Sequence, residues 1–370
     1  MKVLHVETGQ HLYGGAQQVA YLMAGLKEQH VECILCCPNG AAIGKEAGKT
    51  GIKVRYTKKA GDLSLTFFRQ LKKIIKEESP DLIHLHSRRG ADILGGIAAK
   101  QCKVPAILSR RVDNPEKHFF VKWKYKLYTH VITISEAIMN VLLSEGVPRE
   151  KMTCVLSSVD IKKYQQPAPR KEFLKRFQLT ENSLCIGMAA QMIERKGHAT
   201  LFKALPDIVG KFPDIQVLIF GQGPLEAELK TLSSELKLEP HIKFEGFCED
   251  LERWLGNLDI LVHPAYKEGL GVALLQAASA GIPIIGGNAG GIPEIVHHEK
   301  NGLLFEPGNS DQLKAGLNQL LSNADLRKAY GENGQILVEE NFSIDKMVSG
   351  NLNIYRNILK QGVTEQANDH

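Results

Sequence analysis

No run of apolar residues in this 370-residue chain approaches the roughly 18–20 that a membrane-spanning helix needs. The first residues, Met1–Val6, begin as a strand and carry neither the apolar stretch nor the small-residue cleavage site of a signal peptide. The expectation is a cytoplasmic protein, attached at most to the inner face of the cell membrane. Cysteine is scarce and odd in number, seven, so no disulfide framework is indicated. Three of these cysteines, Cys33, Cys36 and Cys37, fall in the apolar run Val31–Cys37. That run reads as a buried strand in which a thiol packs as a small hydrophobe, rather than as a metal site. An Asp-x-Asp triplet is also missing from the whole chain.

What is present is ordinary for a globular enzyme: 43% hydrophobic and 24% charged residues, which excludes disorder and a fibrous chain. The length suggests two domains, each able to bury its own core. The formal net charge of +5 conceals a division. Residues 1–170 hold 27 Lys and Arg against 15 Asp and Glu, whereas residues 171–370 hold 19 against 26. The first half is therefore expected to meet something anionic. No nucleic-acid-binding module accompanies this charge, which favours a phosphorylated substrate or an acidic membrane leaflet over nucleic acid.

Along the chain, apolar strand-like runs alternate with helical patterns. In the first half these runs are Lys2–Glu7, Val31–Cys37, Leu82–His86, Val104–Leu108 and Val131–Ile134. A polar stretch with two prolines, Val159–Arg170, interrupts the pattern and reads as the interdomain link. The alternation then restarts with Ser183–Ala190, Ile215–Phe220, Ile242–Gly246, Leu258–His263 and Ile282–Ile285, and Asp311–Leu359 is mostly helical. Continuous apolar strands separated by helices predict parallel sheets covered on both faces. The fold class expected is α/β, with two doubly wound Rossmann-like domains, residues 1–165 and 171–343, facing across a cleft. The terminal helix, about 344–361, is expected to pack back on the first domain.

Turns after strands carry the chemistry. Phe220-Gly221-Gln-Gly223-Pro-Leu-Glu226 imitates a dinucleotide fingerprint, but Glu226 stands where its third glycine belongs, so hydride transfer is a weak alternative. In Gln191–Gly197, Arg195 and Lys196 precede a helix. There a guanidinium fork, a point charge and free amides suit a diphosphate, although an isolated Arg-Lys is otherwise solvated surface. In His263–Gln276, Glu268 can accept hydrogen bonds from sugar hydroxyls while the amides of Leu270 and Gly271 face an oxyanion. By itself that turn is no more than an acidic helix start. The glycines of Gly286–Gly291, before a helix opened by Pro293, imply close backbone approach to a ligand.

Taken with Gly14-Gly15-Ala16-Gln17, Asp81–His86, Ile134-Ser135-Glu136 and Asn301–Gly308, these turns resemble the retaining glycosyltransferases of family 4, with the GT-B architecture. The resemblance runs over nearly the whole chain. It implies a nucleotide-sugar site in the second domain and an acceptor site in the first. The donor-binding residues expected are Gly14, Gly15, Gly221, Gly223, Gly269, Leu270, Gly271 and Gln276. Arg195, Lys196, Glu268 and His86 are expected to be catalytic. Three positions depart from the family. Gln276 replaces the second of two glutamates eight residues apart, and an arginine shortly before the lysine is absent. Ser157-Ser158-Val159-Asp160 stands for Asn-Gly-Val-Asp.

The implied reaction is metal-independent transfer with retention from a nucleoside-diphosphate sugar, with a UDP-sugar favoured. Arg195 and Lys196 would meet the charge growing on the leaving pyrophosphate. No cofactor and no metal are expected. His86 would stand near the reacting sugar as a positioning or charge-stabilising group, and His84 reads as a core histidine on the opposite strand face. Arg88, Arg89, Arg110 and Arg111 are acceptor-side candidates. Phe120, Trp123 and Leu127 recur at helical spacing with Lys122 and Lys126 one turn apart. Such a face suits either an anionic membrane surface or a core packed under snorkelling lysines. The run Arg110–Pro115 resembles a stretch in enzymes of bacterial surface-polysaccharide and lipopolysaccharide-core synthesis. A sugar-nucleotide epimerase or hydrolase of the same architecture, and a silent sugar-binding relative, stay open as alternatives.

Overall fold

The structure is a computed structural model that describes residues 1–58, 64–87 and 90–368. Arg88 and Arg89 lie outside the described residues. The chain divides into two units, Met1–Ser158 with Ile344–His370, and Val159–Ser343.

The first unit is built on seven parallel strands. They are β1 (Lys2–Val6), β2 (Glu32–Pro38), β3 (Lys53–Thr57), β4 (Leu82–Leu85), β5 (Ala106–Arg110), β6 (His130–Thr133) and β7 (Met152–Cys154), in the order β3-β2-β1-β4-β5-β6-β7. Successive side chains point to opposite faces of a strand, so β1 divides its apolar residues between two cores. Val3 joins Cys33, Leu35 and Cys37 on one face, while Leu4 and Val6 join Ile34 and Cys36 on the other. Burial pushes the Cys33 and Cys36 thiols up to about 12, which makes them inert packing groups.

The helix Gly14–Glu28 buries Ala16, Val19, Leu22, Met23 and Leu26, a stripe at 3- and 4-residue spacing that faces the sheet. The terminal helix Ile344–Asn368 lies against it and contributes Met347, Val348, Leu352, Tyr355 and Ile358 to the same core. A Cβ on Gly25 would come within 2.5 Å of the Val348 side chain, so the small residue sets how closely these helices approach.

Six parallel strands form the second unit: β8 (Leu184–Ala189), β9 (Ile215–Phe220), β10 (Ile242–Gly246), β11 (Ile260–His263), β12 (Ile284–Gly287) and β13 (Gly302–Phe305), ordered β10-β9-β8-β11-β12-β13. The proline-containing stretch read as a link packs along this unit. The Val159 amide donates to the Phe342 carbonyl at 3.0 Å, and the Ala168 amide to the Arg253 carbonyl at 2.8 Å. The division therefore falls before Val159 rather than between 165 and 171.

Each sheet reverses its winding once, between β1 and β4 in the first unit and between β8 and β11 in the second. The carboxyl ends of such strand pairs are where doubly wound sheets bind ligands.

Two expected elements differ. Pro293 opens a single 3₁₀ turn, Ile292–Glu294, instead of a helix. The chain there is taken over by Asn301, whose side chain accepts from the His297 amide and donates to the Ile295 carbonyl. The helix carrying Phe120 and Trp123 ends at Lys124, and Leu127, on the 3₁₀ turn that follows, packs beside Gly96 instead of extending the exposed face.

Candidate functional site

Beyond β8 the chain makes a 3₁₀ turn, Glu194–Lys196, and enters the helix His198–Lys211 through Gly197. Gly197 has φ +72°, and a Cβ there would sit 2.0 Å from the Pro264 carbonyl oxygen. This contact clamps the turn to the end of β11. The clamp continues where the Tyr266 amide donates to the Arg195 carbonyl at 2.9 Å, and an Arg195 guanidinium nitrogen donates to the Lys267 carbonyl at 3.1 Å. The hydroxyls of Thr200 and Tyr266 lie 2.8 Å apart.

These contacts bring Lys196 and Glu268 together across 72 residues of sequence. The Lys196 ammonium donates to Glu268 Oε2, and His263 Nε2 lies 2.8 Å from the same oxygen. The Gly269 amide meets Oε1 at 3.2 Å. Burial opposes a charged Glu268, but the hydrogen bond from His263 and the charge of Lys196 outweigh it and hold the carboxyl well below its usual range. Burial lowers His263, against the pull of Glu268, so the ring is neutral at neutral pH and donates from Nε2. His198 lies close by, with both ring nitrogens buried and without a hydrogen-bond partner among the described residues, and burial pushes it down to about 4.

The Glu268 turn then reaches Gly271, at φ +100°, and the helix Val272–Ser279. The first amides of a helix have no partner within it, so this end favours an anion. Gln276 is half-buried one turn further along.

Three of the glycines of 286–291, Gly287, Gly290 and Gly291, lie closely against the protein's own backbone. A Cβ on Gly290 would lie 1.9 Å from the Glu268 carbonyl oxygen, and one on Gly291 2.5 Å from that of Gly269. Gly221 and Gly223 likewise face the Ala190 and Met192 carbonyls, at 2.0 and 2.4 Å from a Cβ. What demands glycine at these four positions is loop-on-loop packing beneath the Lys196 and Glu268 turns.

At the switch point of the first unit, Glu7 follows β1 and accepts from the Gly9 amide at 2.7 Å and the Ser87 hydroxyl at 2.5 Å. Arg111 lies over Gly15, near Glu7, and reaches His86 Nδ1 at 3.4 Å. Gly14 opens the neighbouring helix. Burial lowers Arg111 to about 10, with Glu7 opposing, so it stays charged.

A guanidinium only donates, so His86 Nδ1 accepts and its proton sits on Nε2, 3.1 Å from His5 Nδ1. The proton of His5 is then on Nε2, a buried atom with no partner. Both ring nitrogens of His86 are thus engaged, an arrangement for positioning Arg111 rather than for moving a proton. His84 bonds Tyr355 at 2.5 Å and Ser109 at 2.8 Å, as a satisfied core histidine. It does not lie on the opposite face from His86. Residues two apart on a strand share a face, and the two ring centroids lie 3.9 Å apart with the planes tilted by 38°.

His5, His84 and His86 form the one group close enough to hold a metal among the described residues. Five of their six ring nitrogens are engaged in hydrogen bonds, with one another, Tyr355, Ser109 and Arg111, and the sixth, His5 Nε2, has no partner among the described residues.

Arg110 corrects an expectation. Its guanidinium is buried against the Asn114 carbonyl and Glu116, within a cluster where Lys124 pairs with Asp92 at 2.5 Å and with Glu116 at 2.8 Å. An arginine so committed has no free face for an acceptor. Arg111 remains. Sequence reasoning also passed over Glu7, His5, His198 and His263. The signal for His263 was there to be used: a histidine closing a buried strand at a winding reversal.

Two doubly wound α/β units, each with polar and charged groups at its switch point, define a class of paired Rossmann-like folds. Residues 13–163 match the family described as Glycosyltransferase Family 4, and residues 169–336 match Glycosyl transferases group 1. A crystal structure of a glycosyltransferase from Rickettsia africae superposes with a TM-score of 0.87 at 22% identity, covering 97% of this chain and 98% of that one. HepE of Anabaena, in complex with UDP and glucose, gives 0.85 at 19% identity over 96% and 100%. A GDP-mannose-dependent monoacylated α-(1-6)-phosphatidylinositol monomannoside mannosyltransferase of Corynebacterium glutamicum is 33% identical over 202 residues, 52% of each chain. The chain thus spans about half the length of that relative. It belongs to glycosyltransferase family 4 and has the GT-B fold.

Proposed function

We propose that this protein transfers a sugar, with retention and without a metal, from a nucleoside-diphosphate sugar to a glycan or glycolipid acceptor of the cell envelope. The observation that carries the donor half is the Lys196–Glu268 pair at the β8–β11 switch point, beside the helix end at Gly271. Lys196 and Arg195 face a leaving pyrophosphate, where positive charge is worth most as the anomeric bond breaks. Glu268 accepts hydroxyls of the donor sugar, and Gln276 bonds the ribose without the strength of a charged acceptor. The anomeric C–O bond to the nucleoside diphosphate breaks and the acceptor hydroxyl bonds to the same face, its proton passing to the departing phosphate oxygen, which gives retention through a short-lived ion pair.

The acceptor half rests on Arg111, charged above Gly15, and on the basic excess of the first 170 residues. Phe120 and Trp123, 53% and 46% exposed, stand among the exposed Lys117, Lys122 and Lys126. This is a surface for an acidic leaflet presenting a lipid-linked acceptor, as in polysaccharide or lipopolysaccharide assembly. No helix among the described residues is long and apolar enough to cross a membrane.

A thermal-shift panel of UDP- and GDP-sugars tests the donor, since a ligand bound only by the folded state raises the melting temperature. UDP-sugars are expected to stabilise most, and hydrolysis with no acceptor dependence would favour the hydrolase alternative. Sedimentation with liposomes tests the surface. Binding to anionic vesicles at low salt that Trp123→Ala weakens is expected, and binding indifferent to lipid charge removes the membrane element.

A further inference from the structure

We infer that His263 is a positioning residue that keeps the Glu268 carboxylate in place when Lys196 turns to the donor's pyrophosphate; this rests on the donor reading proposed above. Three donors serve that carboxylate: the Lys196 ammonium and His263 Nε2 on Oε2, and the Gly269 amide on Oε1. Lys196 carries one ammonium, and two anions want it. A pyrophosphate at the end of β8 draws it from Glu268 exactly when the carboxylate must present lone pairs to the sugar. What remains on the carboxylate is a 2.8 Å bond from a ring fixed at the end of a strand, and a 3.2 Å amide contact. A mostly buried carboxylate left with the amide alone would swing or take up a proton.

His263 suits the task because it adds direction without adding charge. It is buried, neutral at neutral pH, and cannot compete with Lys196 for the phosphates. Its other nitrogen, Nδ1, is buried with no partner. Hence the Glu268 bond is the one hydrogen bond its ring nitrogens make among the described residues. The groups facing Glu268 can be taken element by element. The turn after β8 offers Arg195 and Lys196, the helix His198–Lys211 brings neutral His198 near His263 and Lys196, and the turn 288–291 that packs on the Glu268 backbone has no charged side chain. Lys196 therefore matches the charge of Glu268, and His263 sets its direction.

The test compares wild type, Glu268→Gln, His263→Leu and His263→Gln, whose amide can donate from nearly the place of Nε2. The readouts are the pH profile of transfer from the donor selected by thermal shift, and the melting temperature. His263→Leu is expected to fold, to lose on the order of 10²-fold in kcat, and to change the donor KM less than kcat. Its acidic limb is expected at higher pH, because Glu268 loses a donor that favours its charged form. His263→Gln should restore both rate and limb. A purely structural role lowers stability and leaves the limb in place. If His263→Leu does not fold, His263→Asn, too short to reach Glu268, takes its place. A wild-type limb and rate in His263→Leu, beside an inactive Glu268→Gln, overturns the role of His263 alone. Wild-type transfer by Glu268→Gln overturns the donor reading itself.

Discussion

Lys196 and Glu268 answer for each other electrostatically, which makes their single substitutions informative about more than chemistry. Lys196→Ala leaves Glu268 with His263 and an amide, so it should lower stability by less than the about 3–5 kcal/mol typical of a broken buried pair. Transfer should fall by about 10²–10³-fold, the scale of losing one stabiliser of transition-state charge. Adding Glu268→Gln to Lys196→Ala should recover melting temperature without recovering turnover; full turnover in the folded single variant would remove Lys196 from the leaving-group role.

The histidines of the first unit set a separate pH dependence. His5 is held down at about 3 by burial, and His84 and His86 well below their usual value by burial first, then by neighbouring histidines and Arg111. The folded state then binds fewer protons than the unfolded chain below pH 6.5. Stability is fully present above that value and is lost as pH falls toward the folded values, by up to about 1.4 kcal/mol per pH unit for each ring. Melting temperatures between pH 7.5 and 5 should decline, and His5→Phe should flatten that decline; a pH-independent wild type over this range would contradict the assignment.

Turns, at the level of the element, do the assembling. Gly197 combines a left-handed φ of +72° with a carbonyl 2.0 Å from where a Cβ would stand. Gly197→Ala should therefore cost about 1–3 kcal/mol and displace Lys196 from Glu268, giving a lower melting temperature together with weaker nucleotide binding. Loss of stability with unchanged binding would show that the turn tolerates movement. Strands divide by position in the sheet. The interior strands of both sheets were visible as apolar runs, whereas β3, β7 and β13 were not, and all three are sheet edges. In Lys53–Thr57 two of the five residues are exposed, so that stretch lacks a continuous apolar signal.

For the whole molecule, the chain's last helix belongs to its first unit. Ending the chain at Ser343 would strip Met347, Val348, Leu352, Tyr355 and Ile358 from that core. At about 1.5–3 kcal/mol each, these residues approach the entire stability of a domain. Calorimetry of the truncated protein should show the transition of the second unit, Val159–Ser343, without that of the first. Two intact transitions would mean that the helix is dispensable.

The periodic apolar pattern was enough to establish two α/β units, parallel sheets and the turns that bear charge, because strand and helix periods are local properties of neighbouring residues. Gly-rich turns, Lys196 and Glu268 were legible for the same reason. The partners were not. That Lys196 meets Glu268 and His263, that Arg110 is spent on Glu116 while Arg111 stays beside Gly15, and that glycines 221, 223, 290 and 291 receive backbone carbonyls depend on contacts between distant segments. Such contacts exist only after parallel strands align their ends, and tertiary structure alone decides which buried charge meets which counter-charge.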